Sequence, residues 1–136
     1  MIVADASVVV DMLLGPGSEG GDRLSDHLAA GDVVAVPHLV DVEVGNAIRR
    51  LAYVGILTED EAWSMIEVLP SLPLDRRDHR GLLARAFDFR HGVSMYDATY
   101  LSLAEMLDRP LLTGDRRLVA VPGCDADVEV VAVGGE

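Results

Sequence analysis

Short apolar runs alternate with amphipathic stretches along almost the whole chain. Ile2-Val3-Ala4 is apolar and ends at Asp5, Val33 to Val36 stops at Pro37, Pro110 to Thr113 meets Gly114, and Val128 to Val133 is a late fourth run. Continuous apolar runs of this length suit buried parallel strands better than half-exposed antiparallel ones. The intervening stretches read as helices. Asp22 to Ala30 places Leu24 and Leu28 four apart, and Leu39 to Val54 carries Val40, Val44, Ala47, Ile48 and Leu51 on one face. Thr58 with Glu61 three residues on is a capping box at a helix start. Arg77 to His91, with Leu82, Leu83, Ala86 and Phe87, and Asp97 to Leu107 are two more helical patterns. The alternation predicts an α/β protein, a three-layer α/β/α domain around a mostly parallel central sheet. No repeat, linker or low-complexity tract interrupts it, and 136 residues fit one domain spanning 1–136. Gly134-Gly135-Glu136 is expected to fray.

Composition narrows the class. Half the residues are hydrophobic, which argues against disorder and is high enough to hint at a surface buried against a partner. The lone cysteine, Cys124, excludes an internal disulfide. Nothing at the N-terminus reads as a signal peptide and no apolar run is long enough to span a bilayer, so a cytoplasmic protein without a membrane role is expected. The net charge of −12 argues against nucleic acid at first sight. Carboxylates that bind divalent cations, however, count as negative in a tally and present positive charge once loaded. All eleven basic residues are arginine, which removes every mechanism that needs a catalytic lysine.

Four acids occupy positions that charge alone does not explain. Asp5 ends the first strand where a helix begins at Ala6-Ser7, and ligands of open parallel sheets bind outside the carboxyl ends of strands. Glu43 lies about 60° from Val40 around its helix, on the shoulder of the apolar stripe. Asp97 heads a helix directly above the stripe of Tyr100, Leu101, Ala104 and Leu107, and Asp115 follows the strand ending at Thr113, with Gly114 between. Each has an ordinary reading: helix N-caps for Asp5, Asp97 and Asp115, a solvated side chain for Glu43. Asp41 reads as solvated. A doubly wound topology could gather all four at one sheet edge. There they would raise each other's pKa unless a hard divalent cation, Mg2+ or Mn2+, supplied counter-charge. Thr113 could add a hydroxyl, with Ser7 beside Asp5 as a second accessory group.

These residues, in this order, resemble the PIN-domain family, and within it the VapC-type toxin ribonucleases of bacterial VapBC toxin–antitoxin pairs. The resemblance rests on Met1-Ile-Val-Ala-Asp5-Ala-Ser7, Val42-Glu43-Val-Gly-Asn46-Ala, Tyr96-Asp97-Ala-Thr-Tyr100-Leu-Ser-Leu-Ala104-Glu and Leu112-Thr113-Gly-Asp115-Arg-Arg-Leu118, and it covers essentially the whole chain. It implies that Asp5, Glu43, Asp97 and Asp115 are catalytic acids that hold Mg2+ or Mn2+, with Thr113 as an accessory polar group. It implies a metal-dependent endoribonuclease that leaves a 5′-phosphate and a 3′-hydroxyl, a homodimer, and a cognate VapB-like antitoxin that blocks the site. RNA needs basic contacts as well. Arg76, Arg77, Arg80, Arg85 and Arg90 cluster in one segment, and Arg116 and Arg117, directly after Asp115, are the candidate RNA-binding pair.

Three rival readings compete. Gly15-Pro-Gly17-Ser-Glu-Gly20 matches a dinucleotide fingerprint, but Pro16 stiffens it and a helix ending at glycine explains it equally. A phosphoryl-transfer domain of the receiver or haloacid-dehalogenase kind would also end its first strand in an aspartate, but it needs a lysine. A non-catalytic protein- or RNA-binding module of the same fold is the third.

Overall fold

A computed structural model describes residues 1–134; Gly135 and Glu136, two of the three residues expected to fray, lie outside the described residues. Five strands form one sheet: β1 (Ile2–Ala4), β2 (Val34–Pro37), β3 (Asp75–Arg77), β4 (Leu111–Thr113) and β5 (Val128–Val130). Their order is β3-β2-β1-β4-β5 and every pairing is parallel. Six α-helices surround the sheet: α1 (Ala6–Leu13), α2 (Glu19–Ala29), α3 (Val40–Tyr53), α4 (Glu59–Val68), α5 (Leu83–Asp88) and α6 (Met95–Leu107). The three-layer α/β arrangement expected from the alternation is therefore present, with a sheet wholly parallel. Val3, Val34, Ala35, Val36 and Leu111 are fully buried, as expected where helices cover both faces. Among the described residues no helix is long and apolar enough to cross a membrane.

The central strands match the apolar runs within a residue or so. The late run divides instead: pairing stops at Val130, and the following residues are held by other contacts. The largest departure lies at residues 75–77. The helix expected from Arg77 to His91 is a strand through Arg77, then a single 3-10 turn at Arg80–Leu82, then the short α5. A strand reading Asp-Arg-Arg carries no apolar signal. It forms because β3 is an edge strand whose charges are paired: Arg77 with Asp75 of the same strand, and Arg76 with groups off the sheet. The Arg76 guanidinium makes two bonds to Asp41, at 2.7 and 3.0 Å, and donates to the carbonyls of Leu69 and Leu72. Asp41 is thus an ion-pair partner, not the free solvated acid its sequence position suggests.

Helix starts are well encoded. Thr58 caps α4 with both bonds of the capping box: Glu61 N donates to its hydroxyl at 3.1 Å, and Thr58 N donates to the Glu61 carboxylate at 3.0 Å. α6 begins earlier than expected, with Ser94 as its cap, which moves Asp97 into the first turn. α1 and α2 pack closely through glycine. A Cβ on Gly21 would stand 2.8 Å from backbone atoms of Asp11 and Met12. Gly15 and Gly17 lie in the turn between these helices, and Gly20 is inside α2. The dinucleotide fingerprint requires a strand before its glycines; here a helix precedes them, so that reading ends.

Candidate active site

The chain leaves β1 toward β2 on one side of the sheet and returns to β4 on the other. The carboxyl ends of β1 and β4 therefore flank a switch point, where parallel sheets open a crevice. Asp5 directly follows β1 and Asp115 lies two residues past β4. Glu43, one turn into α3, and Asp97, in the first turn of α6, enter from the helices. All four carboxylates line one cleft of about 370 Å3, together with Ser7, Tyr100, Gly114, Arg117 and Val133. The sequence placed the four acids separately; the topology puts them around one space.

Asp5 is nearly inaccessible and heavily bonded. Its Oδ1 accepts from Ser7 Oγ at 2.5 Å and from Val8 N at 3.4 Å, and its Oδ2 accepts from the Thr113 hydroxyl. Asp5 therefore caps α1 and lines the cleft at the same time. Ser7 Oγ accepts in turn from Gly114 N at 3.0 Å, and Thr113 Oγ1 from Asp115 N at 3.0 Å. Ser7 and Thr113, expected as accessory groups, thus fasten the end of β4 to the start of α1 and orient the Asp5 carboxylate. The N-cap interpretation of Asp97 fails, because Ser94 fills that role by accepting from Asp97 N at 3.2 Å. The Asp97 carboxylate is left facing the cleft. Asp115 does cap its following 3-10 turn, accepting from Arg117 N at 2.9 Å.

Electrostatics in the cleft are strained. Burial pushes the Asp5 carboxyl above its ordinary value, against the hydrogen bonds of Ser7, Thr113 and Val8, with Asp97 adding to the rise. Burial also raises Glu43; the Tyr100 hydroxyl opposes this, while Asp97 and Asp5 reinforce it. Asp97 rises through burial and through Asp115, partly offset by Arg117. Asp115 alone is lowered, because Arg117 holds it: Nη2 lies 2.7 Å from Oδ2 and Nε 3.0 Å from Oδ1. The Tyr100 hydroxyl, buried and surrounded by Glu43, Asp5 and Asp97, is pushed far up. Among the described residues neither Tyr100 Oη nor Glu43 Oε1 has a partner at full hydrogen-bond geometry, although the two groups are neighbours and both atoms are out of solvent.

That unpartnered oxygen tests the metal expectation. A buried carboxylate oxygen without a donor is costly, and three neighbouring carboxyls that each disfavour ionisation call for positive charge. The set is all oxygen, with no thiolate or imidazole, as hard divalent cations prefer. Among the described residues no three His, Cys, Asp or Glu side chains already converge as a cage. Asp5 is turned onto Ser7 and Thr113, and Asp115 onto Arg117. The donor set fits a divalent ion, and Arg117 stands as the local counter-charge.

Tyr100 and Val133 are cleft residues that the apolar pattern does not announce; for Val133 the pattern predicts only a strand end. The spacing of Tyr100 from Asp97 assigned it to the apolar stripe, which is correct for its ring, but its hydroxyl reaches the acids. Of the expected RNA-binding pair, Arg117 lines the cleft, whereas Arg116 is exposed and outside it. The other arginine cluster is committed elsewhere. Arg76 pairs with Asp41, Arg77 with Asp75, Arg80 with Asp78 and Arg85 with Glu105, while Arg90 lies over the Phe87 ring.

A wholly parallel five-stranded α/β sheet with acids gathered at its switch point defines the class: a parallel α/β domain with an acidic cleft at the carboxyl ends of its strands. The PIN domain model matches residues 2–123, and the chain belongs to the PIN-domain family. It is 39% identical to "Ribonuclease VapC1" of Mycobacterium tuberculosis over 130 residues, covering 95% of this chain and 96% of that one. It is 34% identical to "Ribonuclease VapC12" of the same organism over 132 residues, covering 97% and 100%. Among solved structures it resembles VapBC2 from Rickettsia felis, bound to a DNA fragment from its promoter. That match has a TM-score of 0.69 at 15% identity, covers 96% of this chain and 98% of that one, and supports the fold.

Proposed function

We propose that this chain is a divalent-metal-dependent endoribonuclease toxin of the VapC kind, acting as one domain in the cytoplasm and held in check by a VapB-like antitoxin. The observation that carries the reading is the convergence of Asp5, Glu43, Asp97 and Asp115 on one cleft. The ribonuclease names of relatives that match the chain from end to end support it. A homodimer follows from the same kinship.

Asp5, Glu43, Asp97 and Asp115 would hold Mg2+ or Mn2+. Such an ion supplies a bound water acidic enough to be a nucleophile near neutral pH and charge to steady the leaving oxygen. The chain's own groups do the rest. Ser7 and Thr113 fix the Asp5 carboxylate so that it presents its oxygens without a rotamer search. The Tyr100 ring is buried beside Glu43, and its hydroxyl acts on that carboxylate. Arg117, freed from Asp115, is the cation within reach of an RNA phosphate.

Partner-free protein incubated with total cellular RNA and Mg2+ or Mn2+, then with chelator, beside Asp5→Asn, tests the reading. Discrete cleavage that needs metal and disappears in the mutant supports it. Folded, metal-loaded wild type that leaves RNA intact overturns it and favours the binding-module alternative.

A further inference from the structure

One deeply buried carboxylate is not used by this mechanism. Asp11, six residues beyond Asp5 on α1, is 2% exposed. Its Oδ2 accepts from Gly21 N at 2.7 Å and its Oδ1 from Gly134 N at 2.8 Å. A carboxylate this far from water needs such partners. These two donors come from two different segments, the start of α2 and the stretch that follows β5. That stretch is held at three further points. Val131 N donates to Thr113 O at 2.9 Å, Gly20 N donates to Ala132 O at 2.9 Å, and Ala132 N donates to Glu19 Oε2 at 3.2 Å.

The consequence reaches the cleft. Val133 seats on glycine at two places. A Cβ on Gly114 would come within 2.7 Å of a Val133 methyl, and one on Gly20 within 2.9 Å. Gly114 joins Thr113 to Asp115 and donates to Ser7, so the tail presses on the backbone that orients the acids. Val133 itself is an apolar member of the cleft lining.

We propose that Asp11 is a positioning residue: it pins residues 131–134 so that Val133 forms a fixed apolar wall beside the carboxylates, against which the ribose and base of bound RNA pack. Asp11 touches neither substrate nor metal. The substrate-facing part rests on the ribonuclease reading. A carboxylate suits the task because it accepts from two amides at once. An asparagine offers one oxygen and turns its NH2 on the second N–H, leaving that amide without a partner.

Asp11→Asn and Val133→Gly, each beside wild type, test this by three measurements: hydrogen exchange, Mn2+ affinity by calorimetry, and steady-state kinetics on an RNA fragment that wild type cleaves. Asp11→Asn is expected to speed exchange over residues 131–134 while the central strands stay protected. Mn2+ affinity should stay within about twofold, and KM should rise about five- to tenfold with kcat within about twofold, the pattern of lost substrate binding. Val133→Gly should raise KM alike without freeing the tail. A role confined to general stability would lower the active fraction, hence kcat, and leave KM alone. Unchanged exchange in Asp11→Asn, or a freed tail with wild-type KM, overturns the proposal. Wild type that binds Mn2+ yet cleaves no RNA overturns the ribonuclease reading and the substrate-facing part with it; the exchange result still decides whether Asp11 holds the tail.

Discussion

At the scale of single residues the cleft acids set the pH behaviour. Asp5 and Asp97, with an ordinary value of 3.8, and Glu43, with 4.5, are all raised in the fold, burial being the main cause. The folded state therefore keeps protons that the unfolded chain releases. Their contribution to stability is fully present below the ordinary values and is lost as pH rises through the raised ones. In chelator, Asp5→Asn should remove part of that loss and raise Tm by roughly 4 °C at pH 7, with little effect at pH 4. Melting curves at the two pH values check it, and equal shifts at both would contradict it. Cleavage should show the opposite slope, because the carboxylates must be ionised to hold metal. The same Asp5→Asn change should lower cleavage by about 100-fold or more, a loss of at least about 2.7 kcal/mol in the transition state. Arg117 has two partners to lose. Arg117→Ala should weaken RNA binding and reduce its salt slope by about one, measured by titration across ionic strength. Because the Asp115 carboxylate is then free, Mn2+ should bind more tightly, and a variant with unchanged salt slope would return Arg117 to a purely local ion pair.

Elements show where local sequence rules held and where they were overridden. Capping chemistry is local, so Thr58 and Glu61 were readable directly, and Thr58→Ala should cost about 1 kcal/mol with cleavage unchanged. The charged strand β3 was not readable, because nothing within Asp75-Arg76-Arg77 signals extended pairing. Its bonding partners, Ala35 to Pro37 in β2 and the Asp41 carboxylate in α3, lie about forty residues away in sequence. Asp97 was read as a possible cap, but the hydroxyl of Ser94 three residues earlier took that place. The α1–α2 contact makes a sharper demand. A Cβ on Gly21 would strike Asp11 and Met12 backbone at 2.8 Å, and backbone inside a helix does not yield cheaply. Gly21→Ala should therefore destabilise by about 1–3 kcal/mol and loosen the Asp11 amide clamp with it, seen as a lowered denaturant midpoint.

At the scale of the whole molecule, a divalent ion bound as proposed would act on stability as well as chemistry. The four acids come from positions 5, 43, 97 and 115, so an ion held by all of them ties β1, α3, α6 and the end of β4 together. Mn2+ at about 100 times its Kd should stabilise the fold by about 2.7 kcal/mol, and the Tm rise should largely vanish in Asp97→Asn. By itself the sequence determined the α/β alternation, the central strands, most of the helices, and which acids and hydroxyls stand at strand ends and on the shoulder of a buried helix face. Apolar periodicity and helix caps act between near neighbours and are written where they act. Only the tertiary structure decided that the acids share a cleft, that Tyr100 turns its hydroxyl among them, that Arg117 enters while Arg116 does not, and that Asp11 fastens the tail beside Asp115. Each of these depends on strand order and on contacts between distant segments, and no local pattern carries either.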